Sequence, residues 1–104
     1  TPLRLVTDGQ IERLAAELAR EGTRVGVLAQ RSPLGTFRHV TWVNAGVRPE
    51  NYAHDLYANL RTLDKAGAAC LLVQQVPADA RWDAVRDRLA RAAAGTPPGL
   101  DELP

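Results

Sequence analysis

The side chains able to do chemistry in this sequence are few, and their spacing is informative. Ser32 is the only serine, Cys70 the only cysteine, and His39 and His54 the only imidazoles. A nucleophile needs an activating base in reach, and neither Ser32 nor Cys70 has one nearby in sequence. Cys70 opens the apolar run Cys70-Leu-Leu-Val73, where a free cysteine reads as a small buried hydrophobe. His54 stands beside Asp55, His39 reads as an ordinary strand residue, and neither belongs to a His-x-x-x-His pair or other metal-ligand spacing. The turn Val6-Thr-Asp-Gly-Gln10 lacks the Gly-x-Gly-x-x-Gly pattern that brings backbone close to a pyrophosphate, and no Gly-Lys-Ser/Thr follows a strand. No catalytic, cofactor-binding or metal-ligating residue is assigned on these grounds.

Arginine is the exception. Arg81, Arg88 and Arg91 fall at i, i+7 and i+10, along one edge of an expected third helix, where they could hold a phosphate or an acidic partner surface. The plainer reading is a solvated face carrying Asp83 to Arg86 and Asp87 to Arg91 ion pairs, each worth about 0.2 to 0.5 kcal/mol. Arg61 and Asp64, one turn apart on the second helix, read as a local pair that Arg88 could join in a partly buried network.

These residues need elements to position them. Leu3 to Val6 is a short apolar run, and Thr7 with Gln10 fits a capping box opening a helix. Ile11, Leu14, Ala15, Leu18 and Ala19 give that helix one apolar stripe, and Gly22 ends it. Val25 to Ala29 is continuously apolar, as expected of a strand covered on both faces. Arg31 to Thr36, with Pro33 and Gly35, reads as a loop before a third strand at about His39 to Asn44. Pro49 suits the first turn of a second helix bearing Tyr52, Leu56, Leu60 and Leu63, stopped at Gly67. Cys70 to Val73, extending at most to Val76, is the fourth strand. A third helix starts near Asp79, buries Trp82, Val85, Leu89 and Ala92, and stops at Gly95. The pattern predicts a small three-layer α/β domain: a mostly parallel sheet of four or five strands with helices on both faces. In such sheets ligands sit beyond the strand carboxyl ends, which nominates the loops Thr7 to Gly9, Arg31 to Gly35, Asn44 to Gly46 and Pro77 to Ala80.

Composition narrows the classes. The chain has 104 residues, 13 basic and 12 acidic, for a formal charge of +1. That is one domain, here residues 1–95, followed by a Pro/Gly-rich tail, residues 96–104, expected to be flexible. So small a net charge does not support strong phosphate-backbone binding. One cysteine cannot form an internal disulfide, no apolar run approaches the roughly 20 residues a bilayer span needs, and a cytoplasmic location follows as the expectation. The absence of any methionine suggests a piece of a larger parent.

The run Tyr52-Ala-His-Asp-Leu-Tyr57-Ala-Asn-Leu-Arg61-Thr-Leu-Asp64, the strand Leu71-Leu-Val73 and the helix Trp82-Asp-Ala-Val-Arg-Asp-Arg88-Leu-Ala-Arg91-Ala-Ala together resemble the C-terminal domain of two-domain threonylcarbamoyl-AMP synthases. Pro2-Leu-Arg-Leu-Val6 and Arg24-Val-Gly-Val-Leu-Ala29 are similar to that family's first two strands. The resemblance implies a Rossmann-like domain appended to a YrdC-like catalytic domain, its partner in the same chain. That parent makes threonylcarbamoyl-adenylate from threonine, bicarbonate and ATP for tRNA threonylcarbamoyladenosine modification. It further implies that ATP belongs to the catalytic domain, that this domain is a non-catalytic accessory without a cofactor, and that tRNA is met only indirectly. Arg61, Asp64, Arg81, Arg88 and Arg91 become candidate family-pattern or interface residues. Two departures stand out: Ala78-Asp-Ala80-Arg81 replaces a glycine-rich turn before the last helix, and the loop from Arg31 to Phe37 is short. The alternative is a free-standing small-ligand or protein-binding module of the same fold. Homo-oligomerisation is left open.

Overall fold

The computed structural model describes residues 1–94; the expected tail over residues 96–104 and the helix stop at Gly95 lie outside them. The chain forms β1 (Leu3–Val6), a 3-10 turn (Asp8–Gln10) running into α1 (Ile11–Arg20), β2 (Val25–Ala29), β3 (Val40–Asn44), α2 (Pro49–Lys65), β4 (Cys70–Gln74), a second 3-10 turn (Ala80–Trp82) and α3 (Asp83–Ala94). All four strands are parallel, in the order β1-β4-β2-β3.

Each face of the sheet carries its own core. Val6, Val25, Val27, Ala29 and Leu72 pack with Ile11 and Ala15 of α1. On the opposite face Leu3, Leu28, Leu71 and Val73 pack with Tyr52, Leu56 and Leu63 of α2 and with Trp82, Val85 and Leu89. Residues of a strand alternate between faces, so the two most apolar strands, β2 and β4 with its buried Leu71-Leu72-Val73, occupy the centre, where both faces are covered. β1, with Arg4, and β3, with Thr41 and Asn44, take the edges. Burial favours the apolar runs in the middle by about 25 cal/mol per Å² of apolar surface.

Gly26 lies on the α2 side of β2, and a Cβ there would come 2.8 Å from Leu71 Cδ2, 3.1 Å from Leu63 Cβ and 3.2 Å from Ala68 Cβ. Only glycine lets α2 approach β2 so closely. Gly26→Ala should therefore destabilise the domain by about 1 to 2 kcal/mol through overpacking, measured by urea denaturation; a neutral result would show that α2 can shift at no cost.

Both crossing helices end in left-handed glycines. After α2, Gly67 (φ 89°) lets Ala68 N donate to Leu63 O and Gly67 N to Asp64 O, a pattern that closes the last turn.

Two local expectations need correction. α3 begins at Asp83, not near Asp79, because Asp79 Oδ1 accepts the Arg81 N–H at 3.0 Å and tightens residues 80–82 into a 3-10 turn. Arg81 is therefore not on the helix carrying Arg88 and Arg91, and the spacing that aligned all three does not apply. His39 is not in the third strand but just before it, in a left-handed conformation (φ 64°), with its carbonyl accepting from Val25 N at 2.8 Å. The apolar runs fall where expected, Leu3–Val6 and Val25–Ala29 at the expected bounds and the fourth strand ending at Gln74, one residue past Val73 and short of Val76.

Candidate functional site at the strand carboxyl ends

Because the strands are parallel, the loops after all four meet at one edge of the sheet. Arg31, two residues beyond β2, organises it. Its Nε donates to Asp8 Oδ1 at 2.6 Å, and its two terminal nitrogens donate to Glu12 Oε2 and Oε1, both at 2.7 Å. The same nitrogens also reach the carbonyls of Ser32 (3.1 Å) and Asp8 (3.3 Å). A guanidinium has five N–H donors, and all five are used. The guanidinium also lies over the Trp42 ring, 5.4 Å from its centroid, while Trp42 Nε1 donates to the Arg31 carbonyl at 2.7 Å. Glu12 Oε2 additionally accepts the Leu34 N–H at 3.1 Å, tying the β2–β3 loop to the start of α1.

The electrostatics follow from this geometry. The Arg31 hydrogen bonds hold the Glu12 carboxyl down to about 2, against an ordinary value of 4.5, and the two carboxylates raise the Arg31 guanidinium. One cation facing two carboxylates leaves the cluster net negative, with no donor of Arg31 free for a ligand. Its chemistry is that of a brace and not of an anion receptor. Neighbouring loops are stitched in the same way: Gln74 Oε1 accepts from Gln30 N at 2.8 Å, Asn44 Nδ2 donates to Ser32 Oγ at 3.4 Å, and Asn44 Oδ1 accepts from Gly46 N at 2.9 Å.

This is the edge expected to gather the loops Thr7 to Gly9 and Arg31 to Gly35, but the side chains of Asp8, Glu12, Arg31 and Trp42 are not among the candidate site residues expected from the sequence. Four of the five expected candidates lie elsewhere. α2 and α3 run back from the carboxyl edge, so Arg61 and Asp64 in the last turns of α2, and Arg88 and Arg91 in α3, lie toward the amino ends of the strands, whereas Arg81 stays at the carboxyl edge. All five are exposed. The partly buried network of Arg61, Asp64 and Arg88 does not form: Asp64 instead accepts the Thr1 hydroxyl, and among the described residues no charged side chain is buried. The helical geometry explains this, since both elements point these positions away from the sheet. Arg81 pairs loosely with Asp79 at 3.6 Å, Arg91 with Asp87 at 2.8 Å, and Arg86 with Asp83.

The remaining reactive groups are quiet. Burial pushes the half-buried Cys70 thiol up, only partly offset by Arg4, which disfavours the nucleophilic thiolate. His54 Nδ1 meets Asp55 at 2.9 Å on the open surface. Among the described residues no group of three His, Cys, Asp or Glu side chains could hold a metal ion, and no helix is long and apolar enough to cross a membrane.

Among known protein families, the one described as threonylcarbamoyl-AMP synthase, C-terminal domain, matches residues 1–94. No curated protein and no solved structure matches the chain.

Proposed function

Since the chain belongs to the family of threonylcarbamoyl-AMP synthase C-terminal domains, we propose that it is the non-catalytic accessory domain of an enzyme that makes threonylcarbamoyl-adenylate from threonine, bicarbonate and ATP. The family ties it to tRNA modification and to a YrdC-like domain of the same chain. The observation that carries the accessory reading is that the family match spans the whole described fold, residues 1–94, leaving no part of it for a second, catalytic unit. The braced carboxyl edge agrees, because Arg31 offers no donor to a nucleotide phosphate. On this reading the domain holds no cofactor, ATP is bound by the YrdC-like domain, tRNA is met only through the product, and the protein works in the cytoplasm.

Its contribution is then made through contact. Arg61, Arg88 and Arg91 are exposed, and the Arg91 pair with Asp87 is a surface pair of small worth. An interface within one chain needs only modest affinity, since a linker keeps the local concentration high. In a chain carrying both domains, Arg88→Glu with Arg91→Glu should lower pyrophosphate release from ATP, threonine and bicarbonate several-fold without altering the unfolding midpoint of this domain. The isolated domain should give no release. Turnover by the isolated domain, or unchanged turnover in the double variant, would overturn the accessory role or this interface respectively.

A further inference from the structure

One side of α1 faces the segment joining β2 to β3. At the start of α1, Glu12 closes the gap through Arg31 and Leu34 N. One and two turns later the facing residues are Ala16 and Ala19, too small to fill it, and a groove of about 370 Å³ opens between Ala16, Ala19 and Arg20 on one side and Thr36, Phe37, Arg38 and His39 on the other. That is at the small end of the range of about 300 to 1,000 Å³ for small-molecule sites.

We propose that this groove binds a small phosphate monoester with a flat apolar body, its phosphate held by Arg20 and Arg38 and its body lying between Phe37 and the two alanines. The lining supplies both kinds of group such a ligand requires, the alkyl and aromatic surface of Ala16, Ala19 and Phe37 and the guanidinium side chains of Arg20 and Arg38. Arg20 and Arg38 are in no ion pair among the described residues, unlike Arg31, Arg81, Arg86 and Arg91. Their planar forks match the paired oxygens of a phosphate. Glu17 and Glu21 flank Arg20 in sequence and are exposed, but neither lines the groove.

The walls are held in place before any ligand arrives. Ile11 and Ala15 fix α1 to the sheet, the Arg31 brace fixes one end of the segment, and the hydrogen bond from Val25 N to the His39 carbonyl fixes the other. His39 is the only non-glycine residue with positive φ among the described residues. Such a conformation persists where the surroundings enforce it, and it recurs at binding sites. His39 lines the groove next to Arg38 and would add a ring N–H to the donors for the same phosphate.

The test is a titration of the 104-residue chain, followed by backbone amide shifts, with phenyl phosphate, inorganic phosphate and phenol as separate probes. Phenyl phosphate should give saturable shifts at Ala16, Ala19, Arg20 and Thr36 to His39, and bind at least about tenfold more tightly than either fragment. Arg20→Ala with Arg38→Ala should weaken it at least about tenfold. Ala19→Leu should abolish it by filling the groove, since leucine is tolerated in a helix and far-UV circular dichroism should be unchanged. Shifts spread evenly over exposed arginines such as Arg61 and Arg88, inorganic phosphate binding as tightly as phenyl phosphate, or a double variant that binds like the parent would each overturn the proposal.

Discussion

Arg31→Ala should destabilise the domain by about 2 to 3 kcal/mol near neutral pH. The loss has three parts. The bidentate fork to Glu12 disappears, the Nε bond to Asp8 disappears, and two carboxylates one turn apart are left facing each other without a cation. Arg31 and Glu12 keep 27% and 20% of their side-chain surface, which makes the pair stronger than an open surface bridge. Asp8 keeps 58% and contributes less. Water reaching these groups limits the cost to less than that of a fully buried pair.

The pH dependence identifies the cause. The folded-state value for Glu12 lies near 2 and its ordinary value at 4.5, so between these the unfolded chain binds more protons than the native one. The contribution of the brace is therefore complete above about pH 4.5 and is lost as pH falls through 2. The stability gap between the parent chain and Arg31→Ala should shrink over that window. Glu12→Gln, which retains the shape and removes the charge, should cost less than Arg31→Ala and show a flatter profile there. Urea unfolding at several pH values between 2 and 7 measures all three chains. A gap that stays constant across the window would show that Arg31 acts through its packing on Trp42 and not through its charge.

The brace also shows where sequence reading stops. The elements were legible because their signals are local: an apolar stripe at helical spacing in Ile11 to Ala19, uninterrupted apolar runs in β2 and β4, and glycines at helix ends. The edge that collects the loops followed from parallel pairing alone. The brace itself joins Arg31 to residues 23 and 19 positions earlier, and its formation depends on β4 inserting between β1 and β2. No short-range pattern encodes that order. An arginine just beyond a fully buried strand, with acids in the first turn of the preceding helix, is the signal that could have named it. The same limit explains Arg81. Counting seven residues back from Arg88 assumes an unbroken helix, and the Asp79 side chain capping Arg81 N breaks it two residues too early to be seen in apolar spacing. His39 lies outside the strand expected to hold it for a similar reason: a left-handed turn before an edge strand carries no mark when the residue is not glycine.

Trp82→Ala is expected to have the largest effect, about 4 kcal/mol, a large share of the roughly 5 to 15 kcal/mol that holds a domain of this size together. Trp82 is 1% exposed and sits in the 3-10 turn before α3, where it closes the carboxyl end of the core shared by α2, α3 and the sheet. Its ring meets Tyr52 edge-on, with centroids 5.5 Å apart and planes at 79°. Tyr52 is itself buried, its hydroxyl has no hydrogen-bond partner among the described residues, and burial raises the phenol's pKa. The Tyr52–Trp82 pair itself is held by edge-to-face packing. Removing the indole leaves a cavity beside Tyr52, in the core that α2, α3 and the sheet share, which rigid strands and two helix ends cannot close. Trp82→Phe keeps a ring against Tyr52 and should cost only about 1 to 2 kcal/mol. Replacing Trp82 and Tyr52 by leucine, singly and together, should reveal a coupling of about 0.5 to 1.5 kcal/mol. Trp42, on the opposite face of the sheet, remains as the fluorescent reporter in every variant. A Trp82→Ala loss below about 1 kcal/mol would mean that α3 docks independently of this plug. Arg88 and Arg91, proposed for the interdomain contact, would then ride on a helix that Val85 and Leu89 hold to the core without the indole.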